Sequence, residues 1–87
     1  VKIRLTETFR KDYRSLPQDV RKKADKQLRF LAENPRHPSL KVHRIEGTSA
    51  FWEFYVDRSY RGVYTQEGDI IVLRYIGPHD ILRAVKD

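Results

Sequence analysis

Two histidines and a handful of cations set what chemistry this chain can perform. His79 follows a Gly77-Pro78 break at the end of an apolar run, Ile70–Leu73, that Arg74 and Tyr75 extend. An imidazole, whose ordinary pKa of about 6.5 suits proton transfer near neutrality, is thereby placed where a rigid strand ends. Asp80, the apolar pair Ile81-Leu82 and Arg83 come next. A second imidazole, His43, alternates with Lys41 in Leu40–Ile45, so both project to one side of an extended segment, with Leu40, Val42 and Arg44 on the other. Arg61 stands between Tyr60 and Gly62 in a third segment.

Lys41, His43, Arg61, Arg74 and His79 together make the inventory of metal-free RNA cleavage. A base takes the 2′-OH proton, an acid protonates the leaving 5′-oxygen, and cations stabilise the charge on the phosphorane. Arg83, Arg44, Tyr55 and Tyr60 are the candidates for holding substrate, since cations meet phosphates and aromatic rings carry unstacked bases. DNA lacks the 2′-OH, so this route selects RNA.

Plainer roles are open for each. Arg61 can pair with Glu53 or Asp57 across a hairpin, His43 can be an ordinary half-exposed strand residue, and His79 or Asp80 can cap a short tail helix. The tyrosines can be sheet packing.

Other chemistries lack their residues. There is no Gly-rich phosphate loop, no HExxH pair and no cysteine. Beside His79 only His37 and His43 remain, without carboxylates at ligand spacing, so no metal site and no cofactor are expected. No serine sits in a strand-to-helix elbow.

The elements that must position these groups can be read in turn. Eighty-seven residues, 39% apolar and 11% aromatic, suit one globular domain, 1–87, with a thin core. No apolar run nears the length of about 18 residues that a membrane span needs, and no signal peptide is evident, so a soluble cytoplasmic protein is expected. Of the net charge of +6, the excess lies in residues 1–46, which hold thirteen Lys/Arg against six Asp/Glu. A basic half on a small domain points to nucleic acid or an acidic protein, while a Lys/Arg-rich helix surface can also serve solubility alone.

Val1–Leu5 alternates as a half-buried strand. A short helix opens at Thr8, with Thr6 or Thr8 as its cap, and reaches Leu16. A second spans Pro17–Glu33, with Val20, Ala24, Gln27 or Leu28, and Leu31 inward, and Asn34-Pro35 ends it. Strands follow over Leu40–Ile45, Ala50–Val56, Tyr60–Thr65 and Ile70–Tyr75, joined by turns rich in Gly, Asp and Ser. Trp52, Phe54 and Val56 share one face of their strand, Phe51, Glu53 and Tyr55 the other. The fold class is therefore α+β: an N-terminal strand, a helical hairpin packed on a mainly antiparallel sheet of four to five strands, and a short C-terminal helix.

With these residues laid out, the chain resembles the RelE/ParE superfamily of bacterial type II toxins over nearly its whole length. The match rests on the helical hairpin ahead of the sheet, the segments His37–Gly47 and Trp52–Tyr64, the pattern Tyr60-Arg61-Gly62-Val63-Tyr64, and the ending Leu73–Arg83. The Gly-x-His ending looks most like the YafQ-type branch of ribosome-dependent mRNA endonucleases. By position, His79 matches that branch's catalytic histidine and His43 a second histidine. Arg61 matches an arginine that contacts the scissile phosphate, and Lys41 and Arg74 fall near other basic positions. The chain departs from the branch at Tyr55 and Ser59, where a histidine and an aspartate stand, and at Arg83, which replaces an aromatic.

The resemblance implies an mRNA interferase toxin that inhibits translation, with a cognate antitoxin, mRNA and the ribosome as partners. Operator DNA would be met only through the antitoxin complex, and no membrane is involved. A ParE-type DNA gyrase inhibitor and a non-catalytic antitoxin-binding module are the alternatives on the same scaffold.

Overall fold

The computed structural model describes residues 1–86; Asp87, the last residue of the expected domain, lies outside the described residues. Thr6 separates the first strand, β1 (Lys2–Leu5), from the first helix, α1 (Glu7–Arg14). Its hydroxyl accepts from the Phe9 N–H at 3.1 Å and donates to the Leu73 carbonyl at 2.8 Å. One side chain thus caps the helix and ties it to the sheet. The helix stops at Arg14, short of the expected Leu16, because Ser15 already donates its N–H back to Lys11 and Asp12 and turns the chain.

The second helix, α2 (Gln18–Glu33), starts just after Pro17. Val20, Ala24, Gln27 and Leu31 form its buried stripe. Tyr13 Oη donates to Asp25 Oδ1 at 2.6 Å and joins the two helices. That hydrogen bond holds the proton on the phenol and raises the Tyr13 pKa above its ordinary value.

The remaining strands are β2 (His43–Arg44), β3 (Trp52–Tyr55), β4 (Tyr60–Glu67) and β5 (Ile70–Pro78). They form one sheet in the order β1-β5-β4-β3-β2. β1 runs parallel to β5 and every other pairing is antiparallel. A parallel pair needs a crossover, and the helical hairpin supplies it. Gly68, with φ +63°, opens the two-residue turn between β4 and β5.

β2 is shorter than the expected Leu40–Ile45. Pro38–Leu40 is a 3-10 turn, and Lys41 after it has a left-handed backbone, φ +47°. The facing expected for Lys41 and His43 survives, because both reach the same side of β3: His43 to Glu53, Lys41 to Tyr55.

The two faces of the sheet are unequal. Against the helices lies the main core, where Phe9, Leu31, Phe54, Leu73 and Ile76 are all but fully buried. Gly62 makes room there, since a Cβ on it would stand 2.1 Å from the Phe54 ring. The other face carries a small cluster of Ile45, Val63 and Val85 with Phe51, Tyr75, Ile81 and Leu82 packed against it. The tail, a 3-10 segment over His79–Ala84, covers part of that face and leaves the rest open.

Candidate active site

The open part of the helix-free face is where the chemistry collects. Sheet register explains how. His43 of β2 pairs with Glu53 of β3, and Tyr55 of β3 pairs with Arg61 of β4, which in turn pairs with Gly77 of β5. Residues directly opposite one another share a face, so three strands put His43, Glu53, Tyr55 and Arg61 side by side. Gly77 lacks a side chain, and a Cβ there would meet Ile81 at 3.0 Å. The tail can therefore fold back over β5, which sets His79 and Arg83 at the rim.

His43, Glu53, His79 and Arg83 line one cleft of about 400 Å³. The His43 ring is clamped at both nitrogens: Nδ1 lies 3.0 Å from the Lys41 carbonyl and Nε2 2.8 Å from Glu53 Oε1. Both partners are acceptors, so a doubly protonated ring satisfies them together. Glu53 is the buried member, with 8% of its side chain exposed against 63% for His43. The Arg61 Nε lies 4.0 Å from the same carboxylate oxygen, and its Nη1 donates to the carbonyls of Asp57 and Tyr60. The Tyr55 ring carries two cations, Lys41 Nζ at 4.6 Å and the Arg61 guanidinium at 4.9 Å. Gln27, buried in α2, donates to the Tyr55 carbonyl at 2.7 Å and fixes that strand end.

His79 donates its backbone N–H to the Ser59 carbonyl at 2.8 Å. Neither His79 nor Asp80 caps the tail, which starts after Pro78 without a side-chain cap. Ser59 is itself held by Asp57, whose Oδ1 accepts from the N–H groups of Ser59 and Tyr60 at 2.8 and 2.9 Å. The turn between β3 and β4 thus anchors the histidine that closes β5.

The structure brings Lys41, His43, Arg61, His79, Arg83 and Tyr55 to one face, and separates Arg74 and Tyr60 from them. Arg74 sits at a register shift opposite Val63/Tyr64 and turns toward the hairpin, where its Nε donates to Thr65 at 3.0 Å and its Nη2 pairs with Glu67 at 3.4 Å. Thr65 is four residues along β4 from Arg61, about 13 Å at strand rise. Tyr60 packs into the helix-side core. Arg44 straddles the edge: it lines the cleft of His43 and His79, while its guanidinium lies 4.8 Å over Trp52 on the helix side.

Glu53 is the residue that sequence reasoning passed over. It was visible only as an ion-pair partner for Arg61, whereas it also fixes His43. A carboxylate in the middle of an aromatic strand is the signal that pointed to it. Among the described residues no three His, Cys, Asp or Glu side chains gather into a metal-binding group, and no helix is long and apolar enough to cross a membrane.

Comparison with known proteins places the fold that carries these residues. The model of the family described as ParE toxin of type II toxin-antitoxin system, parDE, matches residues 3–82. A search of curated protein sequences finds no significant match. Among solved structures, E. coli YafQ superposes with a TM-score of 0.77 at 16% identity, covering 93% of this chain and 96% of that one. A YoeB/ParE toxin from Agrobacterium tumefaciens gives 0.72 at 18% identity, with coverages of 91% and 99%. A chain of the archaeal RelE-RelB complex from Pyrococcus horikoshii gives 0.70 at 18% identity, with coverages of 88% and 92%. At these identities the likeness speaks for the fold, a helical hairpin on a five-stranded sheet, and the family match speaks for descent. The chain belongs to the ParE toxin family of type II toxin-antitoxin systems.

Proposed function

We propose that this toxin is a metal-independent endoribonuclease that cleaves mRNA, on the ribosome, and so stops translation. The observation that carries the reading is the cleft where His43 and His79 meet beside Arg83, with Arg61 and Lys41 on the adjoining ring of Tyr55. His79, whose ring has no hydrogen-bond partner among the described residues, takes the 2′-OH proton. His43, held as a donor between Glu53 and the Lys41 carbonyl, gives a proton to the leaving 5′-oxygen. Arg61 and Lys41 stabilise the phosphorane, and Arg83 binds a flanking phosphate.

The products of this route are a 2′,3′-cyclic phosphate and a 5′-OH. A translation reaction with mapped mRNA ends tests it: new ends of that chemistry that vanish with His79→Ala support the proposal, and unbroken message under full inhibition overturns it. The partner is a cognate antitoxin, and operator DNA is contacted through the toxin–antitoxin complex; solved relatives include a RelE-RelB and a DinJ-YafQ complex. The site of action is the cytoplasm.

The family description, a parDE toxin, favours a second reading, inhibition of DNA gyrase. It needs neither histidine. Loss of supercoiling with purified gyrase, unchanged by His79→Ala, would select it.

A further inference from the structure

A concavity of about 770 Å³ lies on the helix side of the sheet, around the edge formed by β2 from the cleft just described. Its volume is within the range of about 300–1,000 Å³ usual for small-ligand sites. Trp52 lines it, half-buried, and is the single tryptophan of the chain. Arg36 and Lys41 line it as well and supply positive charge, whereas Arg44, whose guanidinium rests 4.8 Å over the Trp52 ring, lines the other cleft. No carboxylate is among the lining residues, while Asn34 and Gln66 contribute amides.

Lys41 joins the two sites. It lines this concavity, yet its Nζ stands 4.6 Å over Tyr55 on the helix-free face. Its φ of +47° makes it the one non-glycine residue with a positive φ among those described. Such a conformation carries a cost and persists where the surroundings impose it. β2 beside it is only two residues long, so little backbone stands between one face and the other.

We propose that the Trp52 concavity is a second nucleotide site, which holds a base of the same single-stranded RNA, flanking the phosphate cut on the other face. The assignment rests on the RNA-cleaving reading above. An aromatic plane beside a guanidinium and amides suits a stacked base with a phosphate. An acidic peptide would use the cations but offers no base to stack on the ring.

The test is a titration of the intact toxin with a 2′-O-methyl hexanucleotide, which binds without being cut, read by Trp52 emission. The expected result is quenching, with Arg36→Glu weakening the apparent Kd about tenfold and lowering the salt slope. Gln66→Ala should weaken it less. Emission that ignores RNA, quenching indifferent to Arg36→Glu, or equal quenching by hexaglutamate would each overturn the site. Quenching by RNA in a protein that cuts no message supports the site and sinks the nuclease reading alone.

Discussion

Glu53 Oε1 lies 2.8 Å from His43 Nε2 and 4.0 Å from Arg61 Nε, so one buried carboxylate positions a candidate proton donor and a candidate phosphate ligand at once. Removing its charge should therefore disturb both. Glu53→Gln is expected to cost about 1–3 kcal/mol, the penalty for unpairing buried charged hydrogen bonds, and to abolish growth arrest. Urea unfolding and an induction assay measure the two effects. A variant as stable and as toxic as the wild type would mean the carboxylate is mere filling.

His79 separates function from folding. Among the described residues its exposed ring has no hydrogen-bond partner, and its backbone N–H to the Ser59 carbonyl is kept in an alanine variant. His79→Ala should keep stability within about 0.5 kcal/mol and antitoxin binding near normal while relieving growth arrest. Full arrest in that variant would remove the imidazole from the mechanism.

Gly62 tests the packing under the site. A Cβ at that position meets three atoms of the Phe54 ring at 2.1, 2.3 and 2.7 Å, and Phe54, fully buried, has nowhere to retreat. Gly62→Ala should cost about 3 kcal/mol, the upper range for overpacking. A thermal midpoint equal to that of the wild type would refute the β3–β4 packing described above.

Alkaline pH should weaken the fold through Tyr64. Burial raises the pKa of its phenol above the ordinary value of 10.0, because the phenolate would lose its hydration. The folded-state value is the higher one, so the contribution is complete below the unfolded pKa and is lost as pH rises through the folded one. Tyr64→Phe should flatten the alkaline limb of the stability curve. An unchanged limb would assign it to other groups.

Much of this was legible in the residues. The period of Val20, Ala24 and Leu31 identified the inner face of α2, and alternation in Trp52–Val56 sorted that strand onto its two faces correctly. Lys41 and His43 do reach Tyr55 and Glu53 on one side of β3, although the segment is a 3-10 turn, a left-handed residue and two residues of strand. Lys41 gets there through its long side chain, since it also lines the concavity on the helix side. Glu53 was harder, since its second partner comes from an edge strand whose register no local pattern reveals.

The amino-acid sequence by itself determined which groups exist and, within each segment, which of them face together, because that depends only on backbone periodicity. Tertiary structure alone decided the membership of the site. The register shift opposite Val63/Tyr64 turned Arg74 toward Thr65 and Glu67, while a side-chain-free Gly77 let the tail bring Arg83 to the rim. Both are contacts between distant residues, settled by packing across strands, where the periodicity of a single segment carries no information.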